Sequence, residues 1–87
     1  MCMIHFEGEG YVALAHRDYM RALTQFEGAL RGAPSYAPGL VGQGLTLLSL
    51  NRDSDARAAF EAALRADPTL SSLSARIDVL KFREIQN

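Results

Sequence analysis

With 87 residues the chain is sized for one small domain, and 48% hydrophobic with 22% charged residues is the composition of a globular chain rather than a disordered one. The formal net charge is −1 and the basic residues are interspersed among acids with no basic run, so nucleic acid and an anionic membrane surface have no electrostatic footprint. One cysteine, Cys2, excludes an internal disulfide and a thiol metal cluster. The opening Met1-Cys2-Met3-Ile4-His5-Phe6 lacks the charged start and long apolar run of a signal peptide, and no later stretch is long enough to span a bilayer. The cytoplasm is the default location on that basis.

Taken in order, residues 3–16 read as a helix with one apolar side of Met3, Phe6, Gly10, Ala13 and Leu14 and a second line of Ile4, Tyr11 and Ala15. His16-Arg17-Asp18 is a short turn, with Asp18 suited to cap the next helix. That helix spans about 19–32. Tyr19, Ala22, Leu23, Phe26, Ala29, Leu30 and Ala33 recur at i, i+3, i+4, i+7 spacing, Arg21, Gln25 and Arg31 face outward, and Pro34 stops the run. A third helix, about 37–50, tolerates Pro38 in its first turn but carries Gly39, Gly42 and Gly44, each costing about 1 kcal/mol relative to alanine, so packing has to hold it. Asn51 suits a left-handed C-cap, and Asp53 a cap for a fourth helix of about 54–66 with Ala56, Ala59, Phe60, Ala63 and Leu64 inward. A fifth helix of about 71–86 follows Ser71 or Ser72. Its line Leu70, Leu73, Ile77, Leu80 suits a helix covering the preceding pair, whereas Ala75, Val79 and Phe82 lie on the opposite side with Ile85 between.

The chain repeats itself. At an offset of 34, Gly8, Gly10, Leu14, Ala22, Phe26, Glu27, Ala29, Leu30, Arg31 and Pro34 return without a gap as Gly42, Gly44, Leu48, Ala56, Phe60, Glu61, Ala63, Leu64, Arg65 and Pro68. These are small residues, aromatics and helix-ending prolines, the types whose size or backbone geometry close helix packing fixes. The fifth helix does not continue the identity: Arg76 and Asp78 stand where Gly42 and Gly44 would recur and are too large for the same close crossing.

This pattern resembles the tetratricopeptide repeat, a helix-turn-helix unit of the same length. The first copy carries Phe6, Glu9-Gly10, Ala13, Ala22, Phe26, Ala29 and Pro34, and the second Leu40, Gln43-Gly44, Leu47, Ala56, Phe60, Ala63 and Pro68. The second-helix half of the motif is complete in both. In the first-helix half, Glu9 and Gln43 replace leucine, Ala13 and Leu47 replace tyrosine, and Arg17 and Asn51 stand where glycine is common. The resemblance implies an all-α, right-handed α-solenoid fragment of antiparallel hairpins in a single domain over 1–87, with repeats of about 3–36 and 37–70 and a capping helix of about 71–86.

Such arrays bind peptides or helices on the concave face lined by first helices. The groove places implied here are Ile4, Glu7, Tyr11, Leu14 and Ala15 in the first copy, and Pro38, Val41, Leu45, Leu48 and Ser49 in the second. They hold no basic clamp for a C-terminal carboxylate, and an apolar groove suits an amphipathic helix or an apolar extended segment. Burial of the same residues by a neighbouring helix or a second copy is the alternative. Val79, Phe82 and Ile85 form a candidate self-interface, and a non-catalytic docking segment of a larger protein is a third reading.

Catalytic and cofactor chemistry finds no support. Gly8-Glu9-Gly10-Tyr11-Val12-Ala13 matches a dinucleotide fingerprint only in spacing, because no strand precedes it. His5 and His16 are three helical turns apart, too far for one metal ion. Glu7 with Glu9 and Asp53 with Asp55 have neither nucleophile nor base beside them. The expectation is a protein-binding module with no enzymatic activity, cofactor or metal, whose partner is another protein or peptide, or a second copy.

Overall fold

The computed structural model describes residues 2–86, with side chains from residue 8 onward. Five helices follow one another: α1 (Cys2–Ala15), α2 (Tyr19–Gly32), α3 (Ala37–Ser49), α4 (Asp53–Ala66) and α5 (Ser72–Gln86). No strand occurs among the described residues, so the chain is all-α. Helices α1 with α2 and α3 with α4 pack as hairpins, α2 packs on α3 and α4 on α5, and α1 also touches α3.

Both hairpin turns use the same device. After α1, the Asp18 N–H donates to the Ala13 carbonyl (2.9 Å) and the Arg17 N–H to that of Leu14 (3.0 Å). After α3, the Arg52 N–H donates to Leu47 (2.9 Å) and the Asn51 N–H to Leu48 (3.0 Å). This paired bonding closes a helix through one left-handed residue, and Arg17 (φ 62°) and Asn51 (φ 61°) are those residues. Asparagine tolerates the conformation, but for arginine it carries strain that glycine would not. Arg17→Gly is therefore expected to raise stability by roughly 0.5–1 kcal/mol, read as a higher urea midpoint. A lower midpoint would mean that the exposed Arg17 side chain makes contacts that outweigh the strain.

The same device fixes where the next helix begins, and corrects one expectation. The residue after the left-handed one is the N-cap: Asp18 accepts from the Arg21 backbone N–H (3.4 Å) as expected, but in the second hairpin that place belongs to Arg52, which makes no side-chain cap. Asp53 is instead the first residue of α4. It and Asp55 stabilise that end through the helix dipole, and Arg52 bonds Asp55 at 2.8 and 3.0 Å.

Two phenylalanine rings carry the packing between helices. Phe26 and Phe60 are fully buried, with Ala22, Ala29, Ala56 and Ala63 around them equally so. A Cβ placed on Gly10 would lie 2.8 Å from Phe26, on Gly42 2.2 Å from Phe26, and on Gly44 2.6 Å from Phe60. Helix α3 thus exists in spite of its glycines because α2 and α4 press aromatic rings onto its bare backbone. Thr46, the largest polar side chain in the interior, is satisfied by donating to the Gly42 carbonyl (2.8 Å). Gln25 departs from its expected outward position. It is half-buried, and its Oε1 has no hydrogen-bond partner among the described residues.

Helix α5 lays Leu73, Ile77 and Leu80 into the core and is fastened to α4 by charge. The Arg57 Nε donates to Glu84 (2.9 Å) while its Nη1 donates to Glu61 (2.9 Å). The Arg57–Glu84 bond, opposed by burial and aided by a further bond from Ser54, holds the Glu84 carboxyl below its ordinary value of 4.5. A lowered carboxyl contributes stability above its ordinary value and loses it as pH falls through the folded one. The attachment of α5 should therefore weaken below about pH 4.5. Between pH 7 and pH 3, at values chosen to bracket this range, the wild-type urea midpoint is expected to fall further than that of Glu84→Gln; equal falls would show that the pair does not hold α5.

Candidate binding groove

Helices α1, α3 and α5 occupy the first-helix places of the repeat, and the 34-residue offset aligns apolar residues that are not fully buried. Tyr11, Leu45 and Val79 share one place, Leu14, Leu48 and Phe82 a second, and Val41 and Ala75 a third. Tyr11, Leu14, Val41, Leu45 and Leu48 are half-buried, Ala15, Pro38 and Ser49 exposed. Ile4 and Glu7 lie outside the residues whose side chains are described, as do Cys2, His5 and Phe6.

Between α1 and α3 the groove floor is tied together. The Tyr11 hydroxyl donates to the Pro38 carbonyl (2.8 Å), and its ring meets Phe26 edge-on with centroids 4.8 Å apart. Tyr11 is thereby a fixed side chain. Between α3 and α5 the floor opens: no Cα of one lies within 8 Å of the other among the described residues. The physical reason is the residue at one place. Gly42 lets α3 settle against Phe26, whereas Arg76, its counterpart in α5, lays its guanidinium over Phe60 with 5.7 Å to the ring centroid. The spacer leaves a cleft of about 370 Å³ lined by Leu48, Ser72, Ala75, Arg76, Val79, Leu80 and Arg83.

Val79, Phe82 and Ile85 are 52%, 61% and 80% exposed, and they do lie away from the buried line of α5. Val79 and Ala75, however, line the same cleft as Leu48. Val79, which the sequence pattern assigned to a candidate self-interface, thus shares a lining with Leu48, which it assigned to the groove. In contrast, Ser74, Asp78 and Lys81 of α5 occupy the places where Leu40, Gly44 and Leu47 of α3 are buried on α4, and all three are exposed. Helix α5 is polar where a following helix would pack and apolar along the groove.

Among the described residues no group of three or more His, Cys, Asp and Glu could hold a metal ion, and no helix is long and apolar enough to cross a membrane. The family profile described as Tetratricopeptide repeat matches residues 8–71, most of the chain. The chain belongs to the tetratricopeptide repeat family. No curated protein matches it. Tetratricopeptide repeats generally mediate protein–protein interaction and are typically non-catalytic.

The tetratricopeptide match runs from Gly8 within α1 through α4 and ends one residue before α5, so the role of α5 rests on its own packing. Arg76, Arg83, Ala75 and Ser72 were missed as groove residues from the sequence. Adding 34 to the groove places Pro38, Val41 and Ser49 would have found Ser72, Ala75 and Arg83, because α5 keeps the spacing of the repeat; Arg76 answers to Gly42, a packing position rather than a groove place.

Proposed function

We propose that this tetratricopeptide repeat chain is a non-catalytic interaction module that holds an apolar or amphipathic helix of another protein along Tyr11, Leu14, Val41, Leu45, Leu48, Val79 and Phe82. In this reading repeats of about 3–36 and 37–70 and a closing helix of about 71–86 form one domain. The supporting observation is the recurrence of uncovered apolar side chains at the same places of three successive first helices, the middle one of which has no charged residue. Apolar side chains in line along one face are what an amphipathic helix docks against. Leu45→Glu would set a charge in the centre of that face, and binding of a helical peptide with an apolar stripe is expected to weaken at least ~10-fold, about 1.4 kcal/mol, in a fluorescence anisotropy titration. Unchanged affinity would remove the groove from the account.

The exposure of Phe82 and Ile85 favours one second reading, pairing of two copies through α5. Sedimentation across a concentration series separates the two. A monomer throughout leaves the face to a foreign helix, and a dimer that Phe82→Glu dissociates assigns it to self-association.

A further inference from the structure

The cleft between α3 and α5 differs in charge from the rest of the groove. Its floor is apolar, with Leu48, Ala75, Val79 and Leu80, and its edge carries Arg76 and Arg83 with no carboxylate among the lining residues. Arg83 is more than half exposed, and the nearest acid paired with it, Asp53, stands 3.7 Å away, beyond good hydrogen-bond distance. Arg76 is exposed, its guanidinium carbon lies over the Phe60 ring, and a cation–ring contact engages none of a guanidinium's five N–H donors in a hydrogen bond to an acceptor. The two arginines are seven residues apart on one helix, hence two turns, ~10.5 Å, along its axis.

Resting on the groove reading above, we infer that the partner is an acidic amphipathic helix: it seats apolar side chains on Leu48 and Val79 and presents two carboxylates, two turns apart, to Arg76 and Arg83. A helix aligned within the shallow crossing angles of packed helices keeps that spacing opposite α5, and each arginine offers a forked donor to a carboxylate. A basic partner meets two like charges at the same edge and is disfavoured.

The test is a selection on the full chain from displayed 16-residue helical peptides with a fixed apolar stripe and randomised flanks. The expected result is that Asp or Glu is enriched about three- to tenfold on one flank at two positions a double turn apart, the weight of one or two exposed ion pairs. The enrichment should be lost against Arg83→Gln, and against Arg76→Gln with Arg83→Gln, while apolar-stripe peptides are still recovered. The single Arg83→Gln variant leaves the Phe60 contact intact. A neutral or basic flank, or an acidic one that survives both variants, overturns the inference and leaves the groove reading standing. Failure to recover any peptide above a bait-free control, or recovery of the same peptides by Leu45→Glu, overturns the groove reading itself.

Discussion

Phe60→Ala is expected to lower the free energy of unfolding by about 3–5 kcal/mol, with Phe26→Ala close to it. Against the 5–15 kcal/mol available to a typical domain, that is most of the stability of a chain this small. The size of the effect follows from what the ring touches. Phe60 is fully buried in α4, meets the bare backbone of α3 at Gly44 and carries the guanidinium of Arg76 from α5. One truncation therefore opens a cavity at the meeting of three helices, and neighbouring backbones cannot collapse into it without breaking the repeat packing. Urea denaturation followed by helical circular dichroism measures this directly. A loss below about 1.5 kcal/mol, the usual range of well-tolerated core swaps, would show that the rings do not hold the hairpins together.

The second large effect is a pair of identical substitutions with opposite signs. Gly8 and Gly42 occupy the same place in the repeat, and alanine at either gains about 1 kcal/mol of helix propensity. A Cβ on Gly42 would lie 2.2 Å from the Phe26 ring, whereas one on Gly8 meets nothing within 4 Å beyond its own helix backbone and chain neighbours among the described residues. Gly42→Ala is thus expected to destabilise by about 1–3 kcal/mol through forced movement of the ring, and Gly8→Ala to stabilise by up to about 1 kcal/mol. For a domain of this size these correspond to thermal midpoints shifted down and up by roughly 4–8 °C per kcal/mol. The same sign at both positions would contradict the packing described for α3 on α2.

Much of this was legible in the sequence because the repeat wrote it twice. Phe26 and Phe60, the alanines beside them, the glycines of α3 and the prolines after α2 and α4 each carry a size or backbone requirement that only close packing imposes, so their return at a fixed offset revealed the hairpins before any coordinates. Less was legible where one residue changes what its neighbours mean. Asp53 carries a side chain suited to capping, but the turn closed by Asn51 had already given the cap place to Arg52. Gln25 has a polar side chain at an outward helical position, yet it is half-buried. The two apolar lines of α5 were visible as faces, but helical periodicity does not say which neighbour each face meets. Only the cleft beside Arg76 shows that Ala75 and Val79 share a lining with Leu48.

The central claim, that one continuous face of α1, α3 and α5 receives a helix, is tested most directly by methyl NMR of the full chain on addition of an apolar-stripe helical peptide. The methyl signals of Leu14, Leu45, Leu48 and Val79 are expected to shift together, while those of Leu40 and Leu47, buried against α4, stay in place. Shifts confined to Leu64 and Ile77, which line the charged hollow on the other side of α5 with Glu61, Arg65, Asp78 and Lys81, would contradict it.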